Sequence, residues 1–313
     1  MGEGRFTIAE QVGSSAAEQV ASAARSTAAP EIATASRSGI APRMAVVGHV
    51  EWVDFVGVPR HPLAGEVLHA PSSFARAAGG GGVAAAVLAE LGAEVDFFCA
   101  LGDDVHGHAA GDQLSERGVR VHVAWRREAT RRAITLLEGR GERTIITIGK
   151  RLDPLGSDAL PWERLKGVDG VYFTAGDADA LRRARAAAVV VASPRARTAL
   201  AAEGPEVDAL VFSANDADEL EWAGRVEKRA RVLLGTEGAR GGHWWSPDCR
   251  APGGAAGRWS AVEPPGVVQD SYGCGDSFAA GVTLALARGA SVAEAASVGA
   301  ACGARCLTRA GAP

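Results

Sequence analysis

From Met44 onward, short apolar runs alternate with alanine-rich stretches of helical length. AVVGHV opens the series at Ala45, VDFFCALG follows at Val95, and GVYFTAG, AAVVVAS, ALVFSA and RVLLGT come later. The segments Gly82 to Leu91 and Gly107 to Arg117 read as helices between the first of these runs. Continuous apolar strands separated by helices predict an α/β fold in three layers, with a mostly parallel central sheet covered on both faces. Two inserts break the rhythm. The stretch from Asp54 to Arg76, and the pair Val119 to Trp125 and Ala133 to Ile148, alternate polar and apolar positions as antiparallel strands do. Residues 1–43 carry neither pattern. They are rich in Ala, Ser, Thr and Glu and contain one aromatic residue, so they read as a disordered or non-native extension ahead of a domain that begins at Met44.

Composition narrows the class. A chain of 313 residues with 47% hydrophobic content suits one large α/β domain, and no apolar run approaches the length of a membrane span. The net charge of -4, with dispersed arginines, gives no general attraction to nucleic acid. Cys99, Cys249, Cys274, Cys302 and Cys306 are an odd, unevenly spaced set, which fits a reducing cytoplasm better than a disulfide framework. Cys302 and Cys306 share one helical face, and His106 and His108 flank Gly107 in a polar turn; helix packing and surface exposure explain them without a metal.

The chemistry concentrates in DSYGCGDSFAAG, from Asp270 to Gly281. Gly273 and Gly275 let the backbone turn tightly just where an apolar, alanine-rich helix begins. The first amides of a helix have no partner within it, and with the helix dipole they suit a phosphoryl group. Asp276 would stand beside that group as a proton acceptor; the competing reading is that it merely caps the helix.

This segment resembles the C-terminal signature of the ribokinase-like, or phosphofructokinase-B type, carbohydrate kinases, Asp-Thr-x-Gly-Ala-Gly-Asp-x-Phe. Asp270, Gly273, Gly275, Asp276 and Phe278 match, while Ser271 replaces Thr and Cys274 replaces Ala. The resemblance implies that Asp276 is the catalytic base and that the amides of Gly273, Cys274 and Gly275 form an anion hole. GGGGVAAAVLAELGAEVDFFCALGDDVHG, from Gly79 to Gly107, is similar to the family's first signature but lacks its Asn side chains, leaving the amides of Gly80 and Gly81 to meet a polyol. An acid after the first strand is implied to bind sugar hydroxyls, and Glu51 or Asp54 fills that role. LLGTEGARGG supplies Thr236, Gly238 and Gly241 to an ATP site. Ser213 and Asp216 stand where the family has Asn-x-x-Glu, with Asn215 and Asp218 as a rival register; Asp216 would meet magnesium through water. No Gly-x-x-x-x-Gly-Lys-Ser/Thr loop occurs.

Taken together, the resemblance covers nearly all of residues 44–313 and implies a ribokinase-like fold, with the inserts near 54–76 and 119–148 forming a small β lid that serves for dimer contact. It implies ATP-dependent phosphorylation of a hydroxymethyl group on a sugar or related polyol, with Mg2+ and, as an optional helper, a monovalent cation. A nucleoside kinase and a sugar- or nucleotide-binding regulator without turnover are the competing functions. Retention of Asp276 counts against the regulator, which has little use for a base.

Overall fold

A computed structural model describes residues 40–138, 143–201, 203–247, 256–311 and 313. The expectation for residues 1–43 lies outside the described residues as far as position 39; Arg43 already pairs with Glu94 in the sheet, one residue ahead of Met44. The chain proceeds through β1 (Arg43–Val47), β2 (Glu51–Val58), β3 (Ser72–Ala78), α1 (Gly79–Glu90), β4 (Glu94–Gly102), α2 (Val105–Glu116), β5 (Val119–Arg126), β6 (Arg132–Glu138) and β7 (Arg143–Ile148). It continues with β8 (Gly170–Phe173), α3 (Ala178–Ala184), β9 (Val189–Ala192), α4 (Arg197–Ala201), β10 (Val207–Ser213), α5 (Ala217–Arg225), β11 (Ala230–Thr236), β12 (Gly242–Trp245), β13 (Ala256–Trp259), α6 (Cys274–Ala287) and α7 (Val292–Cys306).

The central sheet has the order β13-β12-β11-β10-β9-β8-β1-β4-β5. Its strands are parallel from β11 to β5, and β12 and β13 add an antiparallel edge. Alternation along β1 builds both faces: Met44 and Val46 join a core with α1, α6 and α7, while Ala45 and Val47 join one with α3 and α4. Small residues let the helices approach. A Cβ added to Gly281 would meet Cys302 Sγ at 2.8 Å, and one added to Gly299 would meet Val282 Cγ2 at 2.8 Å. Cys302 and Cys306 are buried in this packing, as their shared helical face implied.

The lid is a second sheet of order β3-β2-β6-β7, with β2 and β6 parallel and the outer pairs antiparallel. One expected part is elsewhere. Val119–Arg126 is β5, paired in parallel with β4 at the edge of the central sheet, because an edge strand with one covered face shows the same alternation as a lid strand. The lid instead recruits β2 from Glu51, ahead of the expected boundary at Asp54. The first helix also starts early: Gly79, Gly80, Gly81 and Gly82 are helical and buried, against glycine's poor intrinsic propensity, because only backbone fits there. A Cβ on Gly81 would approach His49 O at 2.7 Å and the Phe97 ring at 2.9 Å.

The open edge of the central sheet is fastened by Asp96, which is 1% exposed. It accepts from Arg164 Nε at 2.8 Å, from Arg120 Nε at 3.2 Å, and bonds His122 Nε2 at 2.7 Å. Burial alone would raise its carboxyl, but the hydrogen bonds from Arg120, Arg164 and His122 outweigh that and hold it well below the usual carboxylate range. Removing one partner of a buried pair costs roughly 3–5 kcal/mol, and the low end applies because the Arg120 side chain keeps 45% of its exposure. Asp96→Ala is therefore expected to lose about 3 kcal/mol by urea titration; a loss below about 1 kcal/mol would show that the cluster does not fasten the edge.

Candidate functional site

The site forms beyond the carboxyl ends of the parallel strands, where loops from β1, β8, β9 and β10 meet the N-terminus of α6, the usual crevice of open α/β sheets. Gly273 occupies the N-cap of α6 with φ 75°, a left-handed conformation, and no side chain caps the helix. Its carbonyl accepts from Ser277 N at 2.8 Å, so the amides of Cys274, Gly275 and Asp276 are the first-turn donors without an acceptor inside the helix. The loop before it is tied down by Asp270, which accepts from Tyr272 N at 2.8 Å and Gly311 N at 2.7 Å. Cys306 Sγ adds a bond to Tyr272 O at 3.1 Å.

Asp276 is the third residue of α6 and is 7% exposed. It is not the cap. Its Oδ1 accepts from the Tyr172 hydroxyl at 3.2 Å, and its Oδ2 lies 3.7 Å from Arg195 Nη1. Burial and then the Asp276 charge push the Tyr172 phenol up, so it stays a donor. The same carboxylate raises Arg195, keeping the guanidinium charged.

One wall comes from β1, β2 and α1. Gly80 packs directly on the carboxylate: a Cβ there would lie 2.7 Å from Asp276 Oδ1. The Gly80 and Gly81 amides are already engaged, Gly80 N donating to His49 Nε2 at 3.4 Å and Gly81 N to His49 O at 3.0 Å. The expectation that these amides meet a polyol is corrected accordingly; the glycines supply close approach instead. Since His49 Nε2 accepts, its Nδ1 carries the proton. Burial first, then the charges of Arg151, Arg195 and Arg131, hold that imidazole neutral, well below its ordinary pKa.

Strand alternation separates the two candidate acids. Glu51 faces inward, 6% exposed, and pairs with Arg131 Nε at 3.1 Å. Burial raises its carboxyl although Arg131 and Arg195 oppose the shift, and Asp276 is near enough to add to the rise. Asp54 points to the other face of β2 and accepts from Arg132 Nη2 at 2.8 Å. No bulge intervenes, because the β2 to β3 register is unbroken from Glu51 to Gly57.

The opposite wall is built on β10, α5 and β11. Glu219 accepts from Ser213 N at 2.8 Å and from Arg195 Nε at 3.4 Å, joining this wall to Asp276 through one guanidinium. Asp216 caps α5, with Oδ1 accepting from Asp218 N at 3.0 Å and Glu219 N at 3.1 Å. In the rival register, Asn215 accepts from Arg240 and Asp218 pairs with Arg197, both at the surface. Thr236 lies in register with Ser213 on the neighbouring strand, and Ala214 N donates to Thr236 O at 2.9 Å. Gly238 and Gly241 have φ of 62° and 83°, and a Cβ on Gly241 would strike Trp259 O at 2.1 Å.

The arrangement thus gathers Asp276, Gly273, Cys274, Gly275, Gly80 and Glu51 around one point, leaves Asp54 outside, and links Ser213 and Thr236 to it along the sheet edge. Sequence reasoning missed His49, Arg131, Tyr172, Arg195 and Glu219. The only local hints were a polar residue straight after an apolar strand, as in GHV after β1 and SPR after β9. Chemically, a buried carboxylate beside unpaired helix amides, with a guanidinium across from it, can accept a proton while an adjacent anion is held.

The sequence profile of the pfkB family of carbohydrate kinases matches residues 41–313, and the chain belongs to that family. A ribokinase of Arabidopsis thaliana is 30% identical over 128 residues, which are 40% of this chain and 32% of that protein. The matched stretch thus spans about a third of that curated relative's length. A solved structure of Arabidopsis thaliana ribokinase complexed with ribose and ATP superposes with a TM-score of 0.67 at 22% identity, covering 87% of this chain and 95% of that one. A nucleoside kinase from Methanocaldococcus jannaschii gives 0.62 at 15% identity, covering 85% and 92%. These two likenesses show the fold, which is ribokinase-like as expected.

A substitution at Gly80 tests the close packing. A methyl group 2.7 Å from Asp276 Oδ1 is shorter than real Cβ contacts, so Gly80→Ala is expected to rotate the Asp276 carboxylate away from Tyr172 and cost about 1–3 kcal/mol. A crystal structure and a denaturation curve check both parts. An unmoved carboxylate at unchanged stability would contradict the geometry.

Proposed function

We propose that the protein catalyses ATP-dependent phosphorylation of a hydroxymethyl group on a sugar or related polyol. The observation that carries this reading is the buried Asp276 carboxylate, third in a helix whose N-terminus is closed by a left-handed glycine rather than by any side chain. Had Asp276 been a cap, its oxygens would be spent on amides. Instead they face Tyr172 and Arg195.

In this reading Asp276 takes the proton from the acceptor hydroxyl as the hydroxyl oxygen attacks the γ-phosphorus of ATP. The first-turn amides of Cys274 and Gly275, with the amide of the N-cap Gly273 just ahead of them, hold charge that develops on the transferred group. Glu51, positioned by Arg131, binds acceptor hydroxyls; Asp54 has no part, since it faces Arg132. Thr236, Gly238 and Gly241 receive the nucleotide, with Ser213 and Asp216 on the phosphate side. Magnesium in nucleotide sites keeps waters and phosphates as most of its ligands, so the exposed Asp216 carboxylate and the Ser213 hydroxyl fit it as outer partners. When bound with ATP, it would neutralise phosphate charge. The lid closes the acceptor side through Arg143 on β7, which hydrogen-bonds the Ser271 hydroxyl in the signature loop. Water exclusion there protects ATP from hydrolysis. The exposed Ile145, Ile146 and Ile148 of β7 support pairing of two copies through the lid.

The test pairs a screen with one substitution. ADP release is followed with magnesium and ATP against pentoses, hexoses, polyols, sugar phosphates and nucleosides. With the best acceptor, Asp276→Asn preserves shape but removes the base, so kcat is expected to fall by about 10²- to 10⁴-fold with ATP binding kept. Turnover near that of the unaltered protein would remove Asp276 as the base, and a nucleoside as sole acceptor would replace the sugar reading.

A further inference from the structure

Arg195 stands between the two walls and belongs to neither signature. It follows β9 in a short 3-10 turn opened by Pro194, and its carbonyl accepts from Arg151 Nη1 at 3.2 Å, so its backbone is fixed. The guanidinium meets a carboxylate at each end: Asp276 Oδ2 at 3.7 Å from Nη1 and Glu219 Oε1 at 3.4 Å from Nε. Those side chains are 10% and 16% exposed, whereas that of Arg195 is 47% exposed. Both contacts are long for charge-assisted hydrogen bonds, which close to about 2.7–2.9 Å. A charged fork with accessible donors is therefore suspended, loosely held, at the point where Asp276 faces the wall carrying Ser213 and Glu219.

The side chains reaching that point from the second wall are a short hydroxyl, Ser213, and a carboxylate, Glu219, whose oxygens are turned to Ser213 N and Arg195. Neither neutralises an incoming anion. A phosphoryl group in transfer spreads negative charge over three equatorial oxygens, and a planar guanidinium matches two of them.

We propose that Arg195 is a catalytic residue that donates to the equatorial oxygens of the transferred phosphoryl group, a guanidinium supplied from within the chain. This rests on the phosphotransfer reading above. In the step, the acceptor O–H bond breaks and its proton passes to Asp276. The new acceptor O–P bond forms, the bond from the γ-phosphorus to the bridging oxygen breaks, and its electron pair stays on ADP. Arg195 gains and loses no atoms. Its release is built in: as Asp276 takes the proton its carboxylate becomes neutral, the attraction across 3.7 Å vanishes, and the guanidinium is freed for the phosphoryl oxygens as their charge grows.

Three variants test this. Arg195→Met removes the charge, Arg195→Lys keeps charge without the planar fork, and Arg195→Ala leaves space for added guanidinium ion. Calorimetry with magnesium, ADP and aluminium fluoride, a mimic of the phosphoryl in flight, is compared with magnesium and ADP alone. Arg195→Met is expected to lose at least about tenfold in affinity for the fluoride complex while ADP binding stays within about twofold, because the contact exists only to the planar group. With the acceptor from the screen, kcat falls by roughly 10²-fold or more, Arg195→Lys recovers a part, and millimolar guanidinium partly restores Arg195→Ala. A merely structural arginine would lower the melting temperature and all affinities together, with no rescue; that pattern overturns the proposal. So does Arg195→Met with unchanged affinity for the fluoride complex. Asp276→Asn separates the two claims: if it is inactive while Arg195→Met turns over normally, Arg195 alone is wrong, and if Asp276→Asn is fully active, the underlying reaction is wrong.

Discussion

The site depends on how one helix begins. Closing α6 with a left-handed glycine leaves its first amides without an acceptor inside the helix, at Cys274 and Gly275, which are only partly buried or exposed and so open to a ligand. The chain fastens the surroundings of that end. Asp270 binds the loop to Tyr272 and Gly311, Cys306 bonds the Tyr272 carbonyl, and Tyr172 reaches Asp276 from β8. The donors are thus fixed in advance, which is what electrostatic stabilisation of a developing charge requires.

Close packing sets where the two walls can stand. Gly80 brings α1 against the Asp276 carboxylate, and Gly81 lets the same helix settle on the His49 carbonyl and the Phe97 ring. Helical glycines are ordinarily a liability of about 1 kcal/mol each. Here they are offset by burial of Val83, Ala84, Ala85 and Leu88 in the core that α1 shares with α6. His49 fits this crowding only as a neutral ring, and its Nε2 serves as an acceptor for the helix start. So tight a junction leaves few inward polar side chains on this wall, and under the phosphotransfer proposed above the acceptor falls to Glu51, paired with Arg131.

Local signals were legible and distant ones were not. The Asp270 to Phe278 segment announced itself because glycines, carboxylate and helix follow one another in the chain, and β1, β4, β8, β9, β10 and β11 showed as apolar runs because both their faces are covered. β5 misled because it is an edge strand, alternating as a lid strand does. The start of α1 was hidden by its glycines, whose helicity comes from tertiary packing. Glu51 and Asp54 were inseparable until β2 proved to be unbulged. Beyond the SPR that follows β9, Arg195 and Glu219 left no trace, since each meets partners brought near only by the sheet order: Asp276 comes from α6, Arg195 follows β9, and Glu219 lies on α5.

The most direct test of the account is phosphorus NMR of a mixture of the protein, ATP, magnesium and the acceptor selected by ADP release. One new phosphomonoester resonance is expected to grow in step with ADP, with proton coupling that places the phosphate on a hydroxymethyl carbon. Growth of inorganic phosphate alone, or of a phosphate on a secondary hydroxyl, would contradict it.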